Sequence, residues 1–85
     1  MKKYGYHVTP IPKGKIGHSS KLLEEVLELI DAEKQGCTVM AVVELSDLVG
    51  AIESYLKERR LGVTIDDLKV MSGITRRAFE NGFRK

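Results

Sequence analysis

The sequence has no tryptophan, a single cysteine, two prolines and no apolar run long enough to cross a membrane. Each scarcity closes off a class of answer. Cys37, standing alone, cannot form an intramolecular disulfide, which excludes a disulfide-stapled scaffold and fits a reducing, cytoplasmic setting. Met1 to Tyr6 is polar and aromatic and lacks the apolar stretch of a signal peptide. Lys and Arg number 14 against 12 Asp and Glu, and the resulting net charge of +2 is too small to point to a nucleic-acid partner. No Ser, Cys or His is paired with an evident base, so nothing suggests a covalent intermediate. What remains is a soluble globular composition, 42% hydrophobic and 31% charged, in a chain of 85 residues. A single domain of this size buries only about 60% of its surface on folding, so oligomerisation is a natural supplement.

Residues 1–18 contain Gly5, Pro10, Pro12, Gly14 and Gly17 among the β-prone Tyr4, Tyr6 and Val8. This composition predicts an extended N-terminal arm, packed over helices or onto a neighbouring subunit, ahead of a helical domain over residues 19–85. The run Lys13-Gly14-Lys15-Ile16-Gly17 lacks the Gly-Lys-Ser/Thr of a phosphate loop and reads as a solvated loop. His7 and His18 are isolated in sequence and read as surface or capping residues.

Helical periodicity then sets in. The first helix is expected from about Ser20 to Gln35, capped by Ser19 or Ser20, with Glu24 and Glu25 in its early turns toward the positive end of the dipole and Gly36 at its close. Thr38 is expected to cap a second helix that continues to about Arg60, where Gly62 breaks it. About two residues join the two, which predicts antiparallel neighbours. Thr64 is expected to cap a third helix, with Asp66 and Asp67 in its first turn. Its apolar side is Leu68, Met71, Ile74 or Thr75, Ala78 and Phe79, and Asn81-Gly82 ends it. The predicted fold is thus all-α: an antiparallel helical hairpin plus a third helix and an extended arm, completing a helical bundle by oligomerisation. Ser46, Gly50 and Ser54 form a line of small residues at i, i+4 spacing. A mid-helix glycine costs about 1 kcal/mol in propensity, so the line predicts a second packing surface, for the third helix and for a subunit.

The informative feature is acidic. Glu25 with Glu28, and Glu44 with Asp47, are spaced i, i+3 in the first and second helices. At roughly 100° per residue, Leu22, Leu23, Val26, Leu27, Leu29 and Ile30 fill one arc, with Glu25 at its edge and Glu28 just outside. Ala41, Leu45, Leu48, Val49, Ile52, Tyr55 and Leu56 do the same for Glu44, with Asp47 on the outer flank. Helices packed by these stripes bring the two pairs together along one edge of the seam. Four carboxylates gathered there repel one another and must protonate or take up a cation. Oxygen ligands alone suit a hard divalent ion, Mg²⁺ or Mn²⁺.

The string Glu24-Glu25-x-x-Glu28, followed 16 residues later by Glu44-x-x-Asp47, resembles the signature of the MazG-like all-α nucleoside triphosphate pyrophosphohydrolases. Thr75-Arg76-Arg77-Ala78-Phe79 also resembles the tail of short, often phage-encoded members. The resemblance implies helical subunits in homodimers or homotetramers, and hydrolysis of a nucleoside triphosphate between its α and β phosphates to give a monophosphate and pyrophosphate. Carried over, Glu25, Glu28, Glu44 and Asp47 are the metal ligands, and Glu24 positions water or accepts its proton. Lys21, Arg76, Arg77 and Arg84 are candidate phosphate ligands, although basic residues at a helix C-terminus also complement its dipole. Two other readings use the same residues: a module that binds nucleotide without turning it over, and a structural helical interaction protein with solvated or salt-bridged acids.

Overall fold

A computed structural model describes residues 7–80, with the side chain of Phe79 left aside. Tyr4, Gly5, Tyr6, Asn81, Gly82 and Arg84, which figured in the expectations above, lie outside the described residues. Three helices follow in order, α1 Ser19–Lys34, α2 Thr38–Glu58 and α3 Ile65–Glu80, with no strand among the described residues. Residues 7–18 form neither helix nor strand. No helix is long and apolar enough to cross a membrane.

The helix ends show which local signals decided the boundaries. The first two N-caps are His18 and Cys37, neither with a side-chain cap. Ser20, expected as a cap, lies inside α1, and its hydroxyl accepts the Lys15 N–H at 3.0 Å because a turn from Lys15 to His18 delivers that amide to it. Thr38 is likewise the first residue of α2, one position past the cap. No acid falls in the first turn of α1, so Glu24 and Glu25 do not serve its dipole. For α3 the expectation holds: Thr64 Oγ1 accepts the Asp67 N–H at 3.1 Å while Asp67 Oδ2 accepts the Thr64 N–H at 2.9 Å, a reciprocal capping box.

α1 closes in a Schellman arrangement, with Cys37 N–H donating to Ala32 O at 3.2 Å and Gly36 N–H to Glu33 O at 3.0 Å. Gly36 carries the left-handed φ of 68° that this motif needs. α2 ends in the same way two residues before Gly62: Leu61 and Arg60 donate to Leu56 O and Lys57 O, at 3.4 and 3.1 Å. Arg60, not a glycine, takes the left-handed position with φ 54°.

α1 and α2 pack closely, whereas α3 touches α2 only lightly and α1 not at all. The radius of gyration is accordingly 15.5 Å, against about 12 Å for a compact chain of this length. The seam between α1 and α2 does not bury the centres of the two apolar stripes. Leu23 and Leu45 remain 58% and 48% exposed, while Glu44 is at 0% and Glu25 at 4%. Among the described residues Ala32 and Ala51 are the only buried hydrophobic side chains, and the largest fully buried ones are Glu44 and Asp31. The helices meet on the acidic edge of their stripes, where Ala32 and Ala51 allow close approach. Val39, Val42, Val43 and Val49 of α2 and Val70, Met71 and Ile74 of α3 face outward.

Candidate metal centre

On α1 the i, i+3 spacing puts Glu25 and Glu28 on the face toward α2, and the same spacing presents Glu44 and Asp47 back to them. Each of the four offers a carboxylate oxygen such that all these atoms lie within 4.8 Å of one another. The cluster grades from interior to surface: Glu25 and Glu44 buried, Glu28 half-buried and Asp47 exposed. The four residues singled out in sequence as one site are therefore gathered together.

Their electrostatics are those of acids too close to ionise independently. Burial, then the hydrogen bond and charge of Glu25, then Glu44, push the Glu28 carboxyl up to about 8. Asp47, though exposed as a residue, is raised by partial desolvation of its carboxyl beside the cluster and by the charges of Glu25 and Glu44, with Lys21 acting the other way. Glu25 Oε1 is buried with no hydrogen-bond partner among the described residues, an arrangement that costs stability unless a proton or cation reaches it.

His7 is the residue that sequence reasoning misjudged. It is buried, and it joins the arm to the cluster. Its Nδ1 lies 2.8 Å from Asp31 Oδ2, and its Nε2 lies 3.3 Å from Glu44 Oε2 and 4.0 Å from Glu28 Oε2. Asp31, 1% exposed, also accepts hydrogen bonds from Thr9 Oγ1 at 2.9 Å, Gln35 Nε2 at 2.7 Å and the Val8 N–H at 3.3 Å. Burial alone would raise its carboxyl, but donors from His7, Thr9, Gln35 and Val8 outweigh burial and hold it well below the usual range. The usable signal was Asp31 itself, which continues Glu24 and Glu28 at i, i+7 and i, i+3 on one face of α1. His18, by contrast, is exposed.

Glu24 stands apart from the four. It is 3% exposed, and its Oε1 accepts the Gly14 N–H at 2.7 Å and meets Lys21 Nζ at 3.2 Å, with Lys13 Nζ 3.8 Å from Oε2. Burial works to raise its carboxyl, yet Gly14, Lys21 and Lys13 together lower it. Lys21 also reaches Glu25 Oε2 at 3.2 Å. Burial works against its charge, but contact with Glu25 and Glu24 prevails and raises its ammonium. The loop at Gly14 is thereby pinned, not open to solvent on all sides: a Cβ on Gly14 would run into the backbone of Ser20 and Lys21.

Beside the cluster lies an open groove of about 480 Å³. Lys21, Glu25 and Asp47 form its polar side, and Ser46, Gly50 and Ser54 line another wall. The small-residue line, expected to pack under the third helix, is not covered by it; nothing lies within 4 Å of a Cβ built on Gly50. Arg76 and Arg77 are exposed on α3, the helix that does not touch α1.

Comparison with known protein families, curated proteins and solved structures found no match.

Proposed function

We propose that this chain is a Mg²⁺-dependent nucleoside triphosphate pyrophosphohydrolase of the MazG-like kind, cleaving between the α and β phosphates. The observation that carries the proposal is the convergence of Glu25, Glu28, Glu44 and Asp47 within 4.8 Å, two of them buried, at the edge of a groove that also presents a lysine. The donor set fits the ion. It is all oxygen, it carries more negative charge than Lys21 can balance, and the buried Glu25 Oε1 has no hydrogen-bond partner among the described residues. A bound Mg²⁺ neutralises phosphate charge and makes a coordinated water more acidic.

The chain's own residues do the remainder. Lys21 sits between the cluster and the groove, where its ammonium meets a phosphate oxygen once nucleotide enters. Glu24, held ionised by Gly14 and two lysines, orients Lys21 and leaves the water's proton to another group. Asp47 takes that part when it is not itself a ligand of the ion, because it is the member of the cluster that reaches solvent. Ser46, Gly50 and Ser54 leave room for the sugar and base.

In this reading α1 and α2 form an antiparallel hairpin, and a second copy of the chain covers the exposed valines of α2 and the apolar side of α3, giving a homodimer or homotetramer. Arg76 and Arg77 then meet phosphate only where a neighbouring subunit supplies them.

The test is pyrophosphate release from a panel of nucleoside triphosphates, with Mg²⁺ and with EDTA, for the wild type and Glu44→Gln. Metal-dependent release that falls at least 100-fold in the folded variant is the expected result. Folded protein that releases no pyrophosphate from any nucleotide would sink the hydrolase, and nucleotide binding without turnover would replace it with a sequestering module.

A further inference from the structure

We propose that His7 Nε2, with Glu28 and Glu44, forms a nitrogen-containing position for a divalent first-row transition ion, represented by Mn²⁺, adjoining the all-oxygen position. The inference deepens the metal-centre reading above and rests on it. The three ligand atoms lie within 4.8 Å of one another, and Glu28 and Glu44 belong to both groups, so the two positions share them.

Three features distinguish this from a histidine that has merely come to rest against acids. The first is that the ring is held from behind. His7 is 7% exposed, and its Nδ1 is fixed 2.8 Å from an aspartate that is 1% exposed. The second is its tautomer. Asp31 already accepts from the Val8 backbone, the Gln35 amide and the Thr9 hydroxyl, so it is an acceptor toward His7 too and holds a proton on Nδ1. Nε2 then faces Glu44 Oε2 and Glu28 Oε2 at 3.3 and 4.0 Å, and in a ring that carries only the Nδ1 proton it is the nitrogen able to ligate. Ligand atoms bound at about 2.1 Å to one ion sit roughly 3.0 to 3.4 Å apart in octahedral or tetrahedral geometry, so a small closure admits a cation. The third is the outer support, because a ligating imidazole that donates its other N–H to a carboxylate is the common way such a ligand is oriented.

Chemistry then sets the ion. Imidazole nitrogen favours Mn²⁺ and the later first-row ions over Mg²⁺, which prefers oxygen and water. The arm is thereby a ligand-bearing segment: residues 7–9 clamp onto Asp31 and carry the nitrogen to a site otherwise built by helices.

The experiment uses the full chain loaded with Mn²⁺ alone, observed by pulsed electron paramagnetic resonance, with and without ¹⁵N-labelled histidine. The expected result is a nitrogen coupling that changes with the isotope, vanishes in His7→Gln and survives in His18→Gln, the chain having only these two histidines. Mn²⁺ affinity should fall at least tenfold in His7→Gln while Mg²⁺ affinity changes less than about threefold. The isotope comparison is made on the wild type and stands even if a variant misfolds. Bound Mn²⁺ without nitrogen coupling overturns the His7 position and leaves the oxygen site intact. Coupling lost in His18→Gln instead overturns it as well, and no bound Mn²⁺ at all overturns both positions.

Discussion

Glu28 makes the stability of the metal-free protein fall as pH rises, opposite to the usual behaviour of a carboxylate. Its carboxyl is raised from 4.5 to about 8 by burial and by its neighbours Glu25 and Glu44. Below 4.5 both folded and unfolded chains hold the proton, and the contribution is fully present. Between 4.5 and 8 the unfolded chain ionises while the folded chain does not, and the contribution is lost progressively as pH rises through the folded value. A displacement of that size corresponds to on the order of 5 kcal/mol, a large part of the roughly 5 to 15 kcal/mol available to a whole domain. Asp47, also raised, acts in the same direction. Asp31 and Glu24 are lowered, so their contributions are present above the ordinary carboxylate range and lost as pH falls through their folded values. Stability in EDTA should therefore peak near pH 5 and decline toward pH 8. For a chain this size the decline amounts to on the order of 20 °C in melting temperature. In the proposed reading Mg²⁺ binds the ionised cluster in the folded state alone and should flatten the decline. The assay is thermal melting at pH 5, 6.5 and 8 in EDTA and in Mg²⁺, at one fixed protein concentration. A melting temperature in EDTA that stays level or rises between pH 5 and 8 would refute the account of the cluster as mutually repelling acids.

Two further outcomes follow from local geometry. Arg60 holds a left-handed φ of 54° at the end of α2, which costs an ordinary residue about 1 kcal/mol; Arg60→Gly should raise stability by up to about that amount in urea unfolding, and a lower midpoint would mean that its side chain contributes more than its backbone costs. Gly50→Leu should project into the groove, raising KM for nucleotide at least tenfold while leaving the Mg²⁺-induced rise in melting temperature unchanged, and an unaltered KM would place the nucleotide elsewhere.

Much of this was legible in the sequence because it rests on local, periodic signals. The three helices follow from 3.6-residue periodicity and Gly36, and Thr64 announced itself as the cap of α3. The clustering of the four acids was legible for the same reason: the spacings of Glu25 to Glu28 and Glu44 to Asp47 fix which side of each helix they share, and helix packing does the rest. The arm obeys no period. That His7 would reach Asp31, 24 residues away, and that Gly14 would dock on Glu24 are long-range contacts made through single hydrogen bonds. A helical wheel also treats an apolar stripe as a thing to be buried, and could not tell which edge of it the seam between α1 and α2 would close upon. The position of α3, which rests on so little contact with the rest of the chain, was equally beyond periodicity.

Why should a chain of 85 residues bury carboxylates ahead of leucines? Each buried acid costs several kcal/mol unless something compensates it. Asp31 is compensated within the chain by four donor groups, and Glu24 by an amide and two lysines. Glu25, Glu28 and Asp47 face instead toward one another and toward Glu44, with Lys21 as the cation at their edge. In the proposed reading that imbalance is what makes the site bind. A ligand present at 1,000 times its Kd stabilises the folded state by about 4 kcal/mol, comparable with the cost assigned to Glu28. A cation of ordinary affinity is therefore enough to offset the repulsion and no more. On that proposal the two principal helices are fully stable against each other only when the cluster is loaded, with His7 of the arm at its edge. Leucines in the same seam would hold α1 to α2 more firmly, but would leave nothing there to receive a metal-bound phosphate.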